Sequence, residues 1–120
     1  MSESSPKLSL LVVRSMRMES LAEFYTHLGL KFDRHSHGSG PEHFSAEYEG
    51  LVFEIYPASS PDQATSGIRI GFTVQSLNVT HARLIHAGAV EVSAPSNSQW
   101  GQRSVITDPD GHRVELLQLQ

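Results

Sequence analysis

The segment Tyr48-Glu49-Gly50-Leu51-Val52-Phe53-Glu54-Ile55 reads without a gap onto Pro109-Asp110-Gly111-His112-Arg113-Val114-Glu115-Leu116. Each copy is an acidic-Gly turn followed by a strand that carries one glutamate. Upstream, a helical pattern ending in Leu28-Gly29 corresponds to one ending in Ala87-Gly88, again at a spacing of about 60 residues. A chain built from the same half-domain twice is held to a pseudo-twofold plan, which brings Glu54 and Glu115 to equivalent places. Two carboxylates facing each other inside a sheet need a cation, a proton or a ligand.

The two halves have to share one core, because 120 residues with 38% hydrophobic content are enough for a single domain but not for two independent ones. The expected organisation is one domain over 1–120, with a first module at 8–57, a linker at 58–67 and a second module at 68–118. No cysteine is present, which excludes disulfides, thiolate metal sites and a cysteine nucleophile and makes the cytoplasm the expected location. Met1 to Lys7 lacks the basic and then apolar build of a signal peptide, and no apolar run approaches the length of a membrane span. With a net charge of -4 and nine scattered Lys and Arg residues, the chain has no footprint for a phosphate backbone. Neither nucleic acid nor membrane is an expected partner.

The patterning fills in both halves. Leu8 to Arg14 reads as a strand, and Met18, Leu21, Ala22, Tyr25 and Leu28 recur at helical spacing, with Ser15 as cap and Gly29 as terminator. Short strands follow at Leu30 to Arg34, His43 to Tyr48 and Leu51 to Tyr56, the last two joined by Glu49-Gly50. Pro57 to Gly67 has the proline, serine and glycine content of a linker. In the second half a strand at Ile68 to Val74 precedes a helix with Leu77, His81 and Leu84 on one stripe, capped at Ser76 or Asn78 and ended by Gly88. Strands then fit Val90 to Ser93, Arg103 to Thr107 and Arg113 to Leu117, with Asp108-Pro109-Asp110-Gly111 as a turn. The order is βαβββ twice.

Phe24-Tyr25 with Leu28-Gly29-Leu30, Phe53-Glu54-Ile55-Tyr56-Pro57, Gly71-Phe72, Trp100-Gly101, and Asp108-Pro109-Asp110-Gly111 before Val114-Glu115-Leu116 together resemble the vicinal oxygen chelate superfamily. That group includes glyoxalase I, bleomycin-resistance proteins and extradiol dioxygenases. The resemblance implies an α+β fold in which two βαβββ modules curl a mixed sheet into a cup around a ligand, usually completed in a homodimer. It does not imply one activity, since the scaffold carries lyases, isomerases, dioxygenases and non-catalytic drug binders. In metal-dependent members four positions hold a divalent ion. By the resemblance they fall here at Leu10 (or its neighbour Ser9), Glu54, Arg69 and Glu115, so that two of the four cannot serve as ligands.

Arg69 carries the most information. A guanidinium has no lone pair for a metal and would repel one placed beside it, so it replaces the ion's charge. Three readings follow. Arg69, Glu54 and Glu115 form a closed ion-pair cluster; or Arg69 contacts an anionic ligand while the acids hold it; or Arg69 swings out and a metal (Ni, Zn, Mn or Fe) binds Glu54, Glu115 and a histidine from the His35–His43 segment. The expectation is a small-molecule binder without cofactor. Tyr56 shares a sheet face with Glu54, His37 and His43 are placed at the rim, and Trp100 and Arg103 offer an aromatic plane and a cation. The rival is an enzyme in which Glu54 or Glu115 is a general base. His27, His81, His86 and His112 are read as structural.

Overall fold

The computed structural model describes residues 5–120; most of the N-terminal segment read for a leader, Met1 to Ser4, lies outside them. The first module runs β1 (Leu10–Ser15), α1 (Met18–Leu28), β2 (Asp33–His35), β3 (His43–Tyr48) and β4 (Leu51–Pro57). The second runs β5 (Arg69–Thr73), α2 (Leu77–His86), β6 (Val90–Ser98), β7 (Gly101–Thr107) and β8 (Arg113–Leu119). The doubled βαβββ order is therefore present. It forms two four-stranded sheets, ordered β1-β4-β3-β2 and β5-β8-β7-β6, with β1 parallel to β4, β5 parallel to β8 and every other pair antiparallel. Among the described residues no ladder joins the sheets, so β1 and β5 each pair with a strand on one side only, and the outer side of β1 meets just the linker, at Thr65.

Local differences from the sequence expectations have local causes. Ser15 does not cap α1. Its hydroxyl accepts from the Arg17 amide at 2.9 Å, and Arg17 holds the cap position without a side-chain bond. Gly29, at φ 125°, stops the helix, and the Leu30 amide folds back onto the Tyr25 carbonyl at 3.0 Å. Leu30 and Phe32 are used to close the helix and pack on the core, so β2 starts only at Asp33. Ser76 is the N-cap of α2, yet the Leu77 amide is satisfied from β8 by Gln118 Oε1 at 2.7 Å. β6 runs past Pro95 to Ser98 because it is an edge strand with two register shifts, where a proline costs no ladder bond.

Each sheet has a helix-covered face and an open one. Phe53, Ile55, Val114 and Leu116 are at most 1% exposed and lie under the helices, as their alternation with Glu54 and Glu115 requires. Tyr25 on α1 ties the halves together. Its ring meets Phe24, Phe53 and Phe72 at centroid distances of 5.0, 4.9 and 5.9 Å, and its hydroxyl donates to Asp108 Oδ2 at 2.7 Å. Asp108 also bonds His112 Nδ1 at 2.8 Å and accepts from the amides of Asp110 and His112. His112 Nε2 in turn meets the Thr65 hydroxyl at 2.9 Å, and Thr65 bonds the Arg14 backbone. Module, turn, linker and β1 are thereby pinned in one buried network. Among the described residues no helix is long and apolar enough to cross a membrane.

Candidate functional site

Strand register places the two glutamates on equivalent rungs. Glu54 pairs with Val12 and Glu115 with Gly71, while Leu10 pairs with Val52 and Arg69 with Arg113. Leu10 and Arg69 thus stand at corresponding positions, two residues before the partners of the acids. Period-two alternation puts all four side chains on the open faces.

On the second sheet Glu115 is held by cations. Arg103 bonds its Oε1 through Nε at 2.9 Å and also through Nη2, and the Arg69 Nη2 stands 3.6 Å from the same oxygen. Arg103 reaches Glu115 from the neighbouring strand, where it pairs with Leu117, a diagonal that spans two rungs. Arg69 is 51% exposed and makes no side-chain hydrogen bond among the described residues. Trp100, Arg103, Glu115 and Leu117 line an open recess of about 270 Å³. A second recess of about 300 Å³, lined mainly by apolar groups such as Leu11, Phe53, Ile70 and Phe72, has Arg69 at its edge.

On the first sheet Glu54 has a different neighbour. His43 Nε2 lies 3.5 Å from Glu54 Oε2 without hydrogen-bond geometry, and is a buried nitrogen with no partner among the described residues. His43 stacks on Tyr56 at 4.2 Å between ring centroids and 8° between planes, and the Arg14 guanidinium stands over the Tyr56 ring, 5.6 Å from its centroid. His35 and His37 extend the stack, with His37 5.3 Å from His43.

The structure therefore divides what the sequence grouped. Arg69 pairs with Glu115, and no ion pair among the described residues joins it to Glu54. The expected three-member cluster is two half-sites. His43 is not at a rim: it is 1% exposed, because the loop before β3 folds its ring against Tyr56. Trp100 is exposed. His81 is tied up by Ser104 and Glu91 at 2.8 and 2.7 Å and His112 by the buried network, so both are structural. His27 and His86 lie in the last turns of the helices.

Two residues of the open faces were not singled out from the sequence, though period-two counting reaches both. Arg113 is two before Glu115, and Arg14 is four after Leu10 and pairs with Tyr56. Counting them changes the electrostatics. The open face of the second sheet carries Arg69, Arg103 and Arg113 against Glu115 alone. The open face of the first carries Asp33, Glu47 and Glu54 against Arg14. One face is basic and the other acidic. A wider recess of about 360 Å³ near Leu28, Leu30, Tyr48 and Phe72 lies at the module joint and is lined by neither Glu54 nor Glu115; burial, and then the charge of Glu49, raise the Tyr48 phenol there.

The donor set does not suit a metal. Leu10 offers no lone pair, Arg69 brings positive charge, and Glu115 is already engaged by two guanidiniums. Among the described residues no three His, Asp or Glu side chains gather as a metal would need.

Comparison with known proteins agrees with this architecture. A family model described as Glyoxalase/Bleomycin resistance protein/Dioxygenase superfamily matches residues 7–116. Among solved structures, an antibiotic binding protein, TnmS3 from Streptomyces sp. CB03234, superposes with TM-score 0.76 at 20% identity, covering 99% of this chain and 100% of that one. A glyoxalase/bleomycin resistance protein/dioxygenase family enzyme from Burkholderia phytofirmans PsJN gives 0.76 at 16% identity, over 96% of this chain and 100% of its own. TioX from Micromonospora sp. ML1 gives 0.74 at 14%, over 96% and 100%. These identities speak for the fold alone. No curated protein sequence is matched.

Proposed function

The chain belongs to the glyoxalase/bleomycin resistance protein/dioxygenase superfamily, and from that premise we propose that it binds a small organic molecule in a cup without a divalent metal. The observation that carries this reading is the Arg69–Glu115–Arg103 cluster at the place where a metal would sit. A guanidinium there supplies fixed positive charge and directional donors, and its fork is preorganised for a ligand oxygen. Neighbours that include an antibiotic binding protein support the same direction.

The cup of this proposal is completed by a second copy. Within one chain Glu54 and Glu115 occupy separate faces, β1 and β5 each pair with a strand on one side only, and Leu8, Leu10 and Ile68 are exposed beside them. The acidic open face of one copy complements the basic open face of another, and a twofold axis would make both contacts at once.

Metal retention tests the reading. Protein incubated with Ni, Zn, Mn and Fe(II) and then desalted is expected to keep far less than one equivalent by elemental mass spectrometry, while a small-molecule screen raises its melting temperature. Near-stoichiometric metal that disappears in Glu54→Gln and Glu115→Gln would overturn it. One observation favours a second, catalytic reading: the unpartnered His43 Nε2 beside Glu54 is an arrangement suited to proton transfer. In that case Glu54, rather than the arginine-bound Glu115, is the base. Turnover of 2-oxoaldehydes, catechols or acyl thioesters lost in Glu54→Gln would then identify an enzyme.

A further inference from the structure

We infer that the second-sheet half of the cup selects planar aromatic carboxylates: the Trp100 indole takes the ring, and Arg69, with the free edge of Arg103, takes the carboxylate. The inference rests on the ligand-binding reading above and adds the chemical class.

The charge balance comes first. In an acidic chain, this open face gathers three arginines against one glutamate. Glu115 engages Arg103 by two donors through the single oxygen Oε1, and Arg69 approaches that oxygen only to 3.6 Å. Glu115 thus hydrogen-bonds one guanidinium and meets the second only as an ion pair, so that the donors of Arg69 make no hydrogen bond among the described residues. Arg113, the cross-strand partner of Arg69, has no ion pair among the described residues and adds to the positive field. A cationic ligand would meet repulsion here, and a neutral one would leave the guanidinium donors unmatched.

The aromatic component stands on an anchored turn. Trp100 is 61% exposed, yet its turn is not loose. The Ser98 hydroxyl donates to the Gly101 carbonyl at 2.6 Å and accepts from the Trp100 amide at 3.2 Å. Gly101, at φ 139°, brings the turn so close to the Gln118 carbonyl that a Cβ has no room. The exposed indole lines the recess of about 270 Å³ with Arg103, Glu115 and Leu117, and the Arg69 guanidinium approaches the same site at Glu115, 3.6 Å from Oε1. The indole face is free for stacking, and the recess volume suits a bicyclic arene.

The test uses the intact protein in its native oligomeric state and three probes of one shape: 2-naphthoate, neutral 2-naphthalenemethanol and cationic 2-naphthylmethylammonium. Calorimetry measures affinity, and fluorescence of Trp100, the only tryptophan in the chain, reports location. The expected order has 2-naphthoate at least tenfold tighter than the alcohol and the ammonium weakest. Arg69→Ala, compared at protein concentrations at which sedimentation shows the same assembly as the native protein, should remove that preference by weakening 2-naphthoate towards the alcohol, and Arg69→Lys should keep part of it. Equal affinity for acid and alcohol, a preference for the ammonium, or no binding of any probe would overturn the inference. A neutral or cationic hit from the wider screen, insensitive to Arg69→Ala, would sink the carboxylate class and leave the cup reading intact. A screen with no hit at all would sink both.

Discussion

Tyr25 carries more of the fold than its place in a helical stripe suggests. The sequence marks it as apolar and inward, and so it is, but its hydroxyl also meets Asp108 across the joint between modules. Burial, then the charge and the hydrogen bond of Asp108, hold its phenol well above the ordinary tyrosine value of about 10. The unfolded chain therefore releases this proton near pH 10 while the folded chain retains it. The stabilisation is complete below that pH and falls as pH rises beyond it, by up to about 1.4 kcal/mol per pH unit. Tyr25→Phe should cost about 1–3 kcal/mol at neutral pH, since it strips Asp108 of a buried donor. It should also flatten the alkaline loss, and urea titrations of both proteins between about pH 9 and 11 would show parallel slopes if Tyr25 were not responsible. At this scale the sequence was legible where period and repeat determine direction. Glu54, Glu115, Phe53 and Val114 face as expected, and Arg69 pairs with Glu115. It was not legible for His43, whose burial depends on how a glycine-rich loop folds onto Tyr56, a tertiary contact with no local signal.

Among the elements, the helices and inner strands were legible and the edges were not. β4, β5, α1 and α2 have a buried stripe that declares their period, so their placement follows from patterning alone. β6 has almost none, because it is an exposed edge strand interrupted by bulges, and its proline reads as an ending. The β6–β7 turn makes a second prediction at this scale. Gly101→Ala places a Cβ against the backbone of Gln118 and forces a left-handed φ on an L side chain. β7 or β8 has to shift, at a cost of about 2 kcal/mol or more. Urea unfolding would read that loss, and near-ultraviolet circular dichroism of Trp100 should lose intensity as its turn loosens. A substitution without effect on either signal would show that the turn is not the anchored support proposed for the indole.

The whole molecule is more open than a chain of this length needs to be. Its radius of gyration is 15.4 Å, against about 14 Å for a compact domain of this size, and both charged faces are uncovered. The internal repeat suggested that the two glutamates face each other; the fold keeps the twofold equivalence but gives each glutamate its own face, because α1 and α2 pack between the modules and no ladder joins the sheets among the described residues. A proposed dimer in which the first sheet of one copy meets the second sheet of the other makes a specific demand on charge. Glu47→Lys and Arg113→Glu alter exposed residues without ion-pair partners among the described residues, one on each open face. Alone, each variant sets like charges against each other in both contacts of its own dimer, and its dissociation constant should rise about tenfold, or about 1.4 kcal/mol. Mixed, the two variants should form a heterodimer as tight as the native dimer, because Lys now meets Glu in one contact and the native pair is intact in the other. Analytical ultracentrifugation of the separate and mixed proteins reads this directly. A dimer joined first sheet to first sheet would ignore Arg113→Glu, and a monomeric native protein would remove the shared cup altogether. Rescue on mixing would place Glu54 of one chain opposite Arg69 and Glu115 of the other, the grouping that the repeat suggested within one.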